Sequence, residues 1–276
     1  MRELETLRAA QGDGKHLRVP ARTRILEDWL LQSLQSQPSD VTEIQVVSLG
    51  SGLDTRPWRL DFPENLKVHW ICMDFPDVMD SKKALLRKAG AQCIPRDSPH
   101  FMNDCKNSKW PLKLSSWNGL GLDLSSISNR ESVEEAARVL EESLIHHTSF
   151  DKSLPTVWIL EAVLYYMPLP SAEVLLGALA CLSRAAITGT LIATCIDTEL
   201  LEASRKMDAG HIFAQLWYFD CNELLSSKQY ISNWNTRREP KTTKDLAKEL
   251  YNSDTYVALY GGAECAFIAD LKQNSK

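Results

Sequence analysis

Four short apolar runs, Ile44 to Leu49, Val68 to Met73, Thr156 to Leu160 and Ile187 to Ile196, stand apart from longer stretches in which apolar residues recur every three or four positions. The runs are rich in Val and Ile, and apolar at consecutive positions, which is the pattern of strands covered on both faces in a parallel sheet. The longer stretches read as helices with one buried stripe. The first covers Thr23 to Leu34, with Ile25, Leu26, Trp29 and Leu30 on one face, and the second covers Glu131 to Leu144, with Val133, Ala136, Ala137, Leu140 and Leu144. A third, capped by Ser171, runs through Leu182. Strands alternating with helices predict an α/β fold, Rossmann-like, with a mostly parallel twisted sheet and helices on both faces.

Periodicity is weaker elsewhere. Between Asp97 and Gly121, Pro99, Asn103, Asn107, Pro111 and Asn118 interrupt any repeat, which predicts an irregular excursion near the site. Asp197 to Tyr251 is helical but broken at Gly210 and Pro240, and Tyr256 to Asp270 reads as a C-terminal antiparallel hairpin across Gly261 and Gly262. With no internal repeat or low-complexity tract, residues 1–276 are expected to form a single domain.

Composition narrows the functional classes. The chain is 44% hydrophobic and 24% charged, enough apolar material for a sizeable core. A net charge of −5 offers no general attraction to phosphate backbones or anionic lipid, so neither nucleic acid nor a membrane is expected as a partner. No stretch is expected to approach the roughly 18 apolar residues of a membrane span. The N-terminus lacks an apolar leader core, and the seven cysteines are odd in number without CxxC spacing. Reduced core thiols, no metal centre and a cytoplasmic location are the expectations.

Candidate chemistry begins where the first strand ends. Val46-Val47-Ser48-Leu49 leads into Gly50-Ser51-Gly52, a turn whose missing side chains let a ligand approach the backbone. Asp74 closes the second strand 24 residues after Gly50, close to the roughly 20-residue spacing at which a carboxylate meets a ribose hydroxyl. The bland alternative is a tight turn and a surface strand end. Asp54-Thr55-Arg56 occupies the positions where a dinucleotide enzyme would carry its third glycine, so a cofactor without a pyrophosphate fits better.

The string Gln45 to Arg56, followed by Trp58-Arg59-Leu60, resembles the leucine carboxyl methyltransferase family and its bacterial O-methyltransferase relatives. Ala21-Arg22-Thr23 with Glu27-Asp28, Met73-Asp74-Phe75-Pro76-Asp77-Val78 with Lys82-Lys83, Leu122-Asp123-Leu124, and Leu160 through Met167 extend the likeness from Arg22 to about Ile196. The resemblance implies the class I methyltransferase version of the Rossmann-like fold, with S-adenosyl-L-methionine as cofactor. It further implies that Arg22 pairs with the methionine carboxylate, that Gly50 and Gly52 pass beneath the methionine and ribose, and that Asp74 accepts from both ribose hydroxyls. Asp123 and Leu124 would recognise adenine, Glu161 would meet the methionine amino group, and Tyr166 would stand near the reacting groups. Asp54 either holds its turn by accepting local N–H bonds, the readier reading, or reaches the amino group. His146 and His147, at a helix end where the dipole favours an imidazolium, are read as structural.

The implied chemistry is an in-line methyl transfer to oxygen, for which alignment and exclusion of water matter most. Eukaryotic members of the family methylate the C-terminal leucine of type 2A protein phosphatase. The fingerprint here, with the Trp217 to Trp234 stretch, looks closer to the bacterial-type branch. The acceptor is therefore expected to be a carboxylate or hydroxyl of a small molecule, or a protein C-terminal carboxylate. The stretch before Arg22 is short, so family N-terminal helices are expected to be short or absent and the cofactor lid incomplete. Two rivals are a non-catalytic scaffold that kept the fold and a nicotinamide-dependent oxidoreductase; binding of NADH in place of S-adenosylmethionine would favour the latter.

Overall fold

Each of the four apolar runs contains a strand in the computed structural model, which describes residues 18–93, 108–186, 188–252 and 261–273. In chain order the first half contains α1 (Arg18–Gln35), β1 (Glu43–Leu49), α2 (Arg56–Arg59), β2 (Lys67–Asp74), α3 (Pro76–Ala89), β3 (Ser116–Gly121), α4 (Ser125–Ser128) and α5 (Val133–His147). The second contains β4 (Thr156–Leu160), α6 (Leu169–Ser183), β5 (Gly189–Ile196), α7 (Thr198–Arg205), α8 (Cys221–Leu225), α9 (Lys228–Asn233), β6 (Trp234–Thr236), β7 (Lys241–Thr242), α10 (Thr243–Tyr251) and β8 (Glu264–Leu271).

The strands form one eight-stranded sheet in the order β3-β2-β1-β4-β5-β8-β6, with β7 also pairing β8. The first five are parallel; β8 runs antiparallel to β5, and β6 and β7 antiparallel to β8. The expected α/β architecture with an antiparallel C-terminal part is thus present, although Tyr256 to Tyr260, the first arm of the expected hairpin, lies outside the described residues. Successive residues of β1 and β2 point to opposite faces. Val47, Leu49, Ile71 and Met73 pack in one core with Leu140 of α5 and Leu176 of α6, whereas Val46, Val68 and Trp70 pack in the other with Trp29 and Leu30 of α1 and Leu246 of α10.

Three expectations change. Residues 97–107 of the predicted irregular excursion lie outside the described residues, but Ser116–Gly121 is a strand, pairing in register with β2 from His69–Ser116 to Asp74–Gly121. This edge strand carries two glycines and an asparagine, so its alternation was hidden. Ser171 does not cap α6: the helix starts at Leu169 behind Pro168, with Pro170 fixing φ in its first turn, and the Ser171 hydroxyl donates to Asn129 Oδ1 at 3.0 Å. Finally, Leu169–Ala186 averages a hydropathy of 1.3 over 18 residues, long and apolar enough by composition to cross a bilayer. Here half of that window is buried, against the sheet-facing core, α5 and α9.

Candidate functional site

The strand order turns back between β1 and β4, and ligands of open α/β sheets bind in the crevice above the carboxyl ends at such a reversal. The chain leaves β1 through two left-handed residues, Gly50 at φ 64° and Gly52 at φ 44°. A Cβ on Gly50 would overlap Val163 Cγ2, so glycine is favoured there by space as well as by backbone. The Gly52 N–H donates to Asp74 Oδ2 at 2.7 Å and the Phe75 N–H donates to Oδ1 at 2.8 Å. Asp74 is therefore locked to the turn, while each carboxylate oxygen keeps a further lone pair to accept from a ligand. Behind the turn, the buried Lys82 ammonium lies 3.3 Å from both Ser51 Oγ and Cys72 Sγ. Opposite Gly50, Ala162 adopts φ 56°, a strained conformation for a residue with a side chain, and its N–H donates to Thr194 Oγ1 at 2.8 Å.

Two cavities share Gly50 as a common wall. One, of about 460 Å³, lies over β2, β3 and the turn after β4, and is mainly apolar: Phe75, Leu122, Leu124, Val163, Tyr166 and Met167 line it together with Asp74 and Asp123. The other, of about 430 Å³, is walled by Arg22 and Val19 of α1, Gly52, Asp54, Arg56 and Glu161.

The second cavity rests on an ion network. The Arg22 Nε donates to Glu161 Oε1 at 2.8 Å, and its Nη1 donates to both Glu264 oxygens at 2.8 and 2.7 Å. Arg56, only 3% exposed, donates through Nη2 to Glu161 Oε2 at 2.6 Å and through Nη1 to Asp54 Oδ2 at 3.0 Å. Among the described residues its Nε has no hydrogen-bond partner, with Glu27 Oε1 at 3.6 Å, and Arg59 pairs with the same Glu27. Among the described residues the network sets three guanidiniums against four carboxylates, one negative charge in excess. Burial alone would push the Glu161 carboxyl up, but Arg56 and Arg22 outweigh it and hold Glu161 below the usual carboxylate range. Burial would likewise lower Arg22 and Arg56, yet their carboxylate partners hold both above the ordinary guanidinium value.

All eight residues singled out from the sequence reach this crevice. Arg22, Gly52 and Glu161 line the charged cavity, Asp74, Asp123, Leu124 and Tyr166 the apolar one, and Gly50 both. Asp54 takes the local role, accepting from the Arg56 N–H at 2.9 Å, and Asp123 likewise accepts from the Ser125 N–H at 2.8 Å. The paired tyrosines separate: Tyr166 is 45% exposed in the apolar cavity, whereas Tyr165 is buried and donates to Glu264 Oε1 at 2.6 Å. Burial, then the neighbouring Glu264, pushes the Tyr165 phenol well above its ordinary value. His146 and His147 are exposed in the last turn of α5, away from either cavity lining. Among the described residues no group of three or more His, Cys, Asp or Glu could hold a metal.

Sequence reasoning gave no role to Arg56, Glu264 or Lys82. Arg56 stands inside the quoted fingerprint, and an arginine directly after an Asp-Thr turn was a usable signal; Glu264 lies in a segment with no motif.

Comparison with known proteins follows the same outline. A solved structure of a Thermobifida fusca protein, described by inference as a methyltransferase, shares the fold with a TM-score of 0.51 and 14% identity, covering 99% of this chain and 88% of that one. A Mycolicibacterium gilvum protein is 33% identical over 166 residues, 60% of this chain and 42% of the relative. One from Mycobacterium sp. (strain JLS) is 27% identical over 194 residues, 70% of this chain and 50% of the relative. Both are named, by inference, S-adenosyl-L-methionine-dependent methyltransferases. The match thus spans half or less of the length of these relatives. The sequence profile described as "Leucine carboxyl methyltransferase" matches residues 5–180, most of the chain, and the chain belongs to that family.

Proposed function

We propose that this crevice binds S-adenosyl-L-methionine and that the protein transfers the cofactor's methyl group to an acceptor oxygen. The observation that carries the reading is the Arg22–Glu161 pair beside the Gly50–Gly52 turn: an ion pair at 2.8 Å, in a cavity that shares Gly50 with the neighbouring cavity lined by Asp74. An amino-acid zwitterion can replace such a pair contact for contact, its carboxylate meeting Arg22 and its ammonium meeting Glu161. The excess negative charge of the network also favours a ligand carrying a net positive charge over one carrying a pyrophosphate. Asp74 would accept from the ribose hydroxyls, Asp123 and the Leu124 N–H would meet adenine, and the apolar walls of the first cavity would exclude water from it.

The bound sulfonium supplies an activated methyl group; the protein's residues have to orient the acceptor and keep water away. Tyr166, exposed in the apolar cavity, would contact the acceptor, while the buried Tyr165 keeps its proton and is no base. Glu161, held ionised between two arginines, is likewise a poor proton carrier. A carboxylate acceptor arrives ionised at pH 7 and asks for no base, whereas a hydroxyl with a pKa of about 10 or higher does. This favours a carboxylate, on a small molecule or a protein C-terminus.

The test is a screen of carboxylic acids, phenols and carboxyl-terminal peptides with cofactor labelled at the methyl group. Label released as methanol by mild alkali identifies an ester and supports carboxyl transfer; alkali-stable label identifies an ether and refutes it. Cofactor binding without transfer to any acceptor would favour the non-catalytic scaffold.

A further inference from the structure

The structure assigns Glu264 as a positioning residue that aims Arg22 at the carboxylate of the bound ligand, an assignment that rests on the reading above. Because β8 runs antiparallel to β5 and sets Glu264 opposite Ile196, the first residue of β8 reaches the same sheet edge as the carboxyl ends of the parallel strands. A residue 242 positions from Arg22 is thereby brought against it. The start of β8 is itself fixed: the Ala263 N–H donates to Asp197 Oδ2 at 2.7 Å, the Asp197 N–H donates to the Ala263 carbonyl at 2.9 Å, and Asp197 Oδ1 accepts from the Leu200 N–H at 2.8 Å.

Glu264 grips Arg22 through both oxygens on one terminal nitrogen and also accepts the Tyr165 hydroxyl, so its carboxylate is itself oriented. The other described anchor of Arg22 is Glu161, through Nε. A ligand ammonium that engages Glu161 competes with that contact, which leaves Glu264 as the anchor that keeps the guanidinium in place. Without the Glu264 charge, Arg22 would turn fully onto Glu161, blocking the ammonium position and withdrawing from the carboxylate position together. The consequence is specific: Glu264 governs recognition of the amino-acid end of the ligand and leaves recognition of its nucleoside end alone.

Calorimetric titration of the full chain with two probes separates these ends. S-adenosylhomocysteine carries the amino-acid group, and 5′-methylthioadenosine has the same thioether nucleoside without it. Glu264→Gln is expected to weaken S-adenosylhomocysteine binding about tenfold, the scale of one charged hydrogen-bond anchor, and to leave 5′-methylthioadenosine within about twofold. In an Arg22→Ala background Glu264→Gln should have no further effect. Equal losses for both probes, an unchanged affinity for the first, or a full additional loss in the Arg22→Ala background would overturn the assignment. Should Glu264→Gln fail to fold, Glu264→Asp keeps the charge but shortens its reach by one methylene, and the same contrast between probes decides. Failure of the underlying reading looks different, since the unmodified chain would then bind neither probe, or both equally.

Discussion

The two halves of the crevice are held by different physics. In the apolar half the polar groups are tied to their own neighbourhood: Asp74 to the backbone of Gly52 and Phe75, Asp123 to that of Ser125. In the charged half, Arg22, Arg56, Glu161 and Glu264 come from α1, α2, the end of β4 and the start of β8, and each is satisfied mainly by the others. Carboxylates held by backbone keep their geometry whether or not a ligand is present. A mutually satisfied ion network depends on every member, and removing one leaves the rest buried without compensation.

That contrast can be broken most sharply at Arg56. Arg56→Ala should cost about 3 kcal/mol, because it leaves the half-buried Asp54 without its ion partner and Glu161 with Arg22 alone; chemical denaturation checks this, and a loss under 1 kcal/mol would show that the network is not structural. Gly50→Ala comes next, about 2 kcal/mol from the left-handed backbone and the overlap with Val163, measured as a lowered melting temperature. Asp74→Ala should abolish S-adenosylhomocysteine binding in calorimetry while the circular dichroism spectrum is kept, since the hydrogen bonds it loses are confined to the Gly52 and Phe75 backbone; retained affinity would detach Asp74 from the ribose. Asp123→Ala, at an exposed position, should change stability by less than about 0.5 kcal/mol and affinity only several-fold.

Titration gives an independent handle. Glu161 is held below its ordinary range, so its favourable contribution to folding is complete above the unfolded carboxylate value of about 4.3 and is lost as pH falls through the lower folded value. Denaturation midpoints should therefore drop in acid below about pH 4.3, and Glu161→Gln should flatten that part of the profile. An unchanged acid limb in Glu161→Gln would remove Glu161 from the linkage.

The same contrast explains what could be read from the chain. The apolar half is made of strand ends and the residues just after them, so Gly50 and Asp74 announce themselves by position in a local pattern, whereas Asp123 follows a strand the sequence did not reveal and was legible only through the family likeness. Arg22 and Glu161 were legible through the family likeness. Glu264 was not: its role depends on β8 turning antiparallel beside β5, a pairing set by the tertiary sheet and by no local motif. The edge strand Ser116–Gly121 was missed for a related reason, because its two glycines pack against α3 and carry no apolar signature.

Whether the crevice is built for a sulfur-linked adenosyl amino acid is decided most directly by calorimetric titration of the full chain with S-adenosylhomocysteine, with NADH as control. S-adenosylhomocysteine is expected to bind in the micromolar range and NADH to give no heat of binding. Binding of NADH with none of S-adenosylhomocysteine would contradict it.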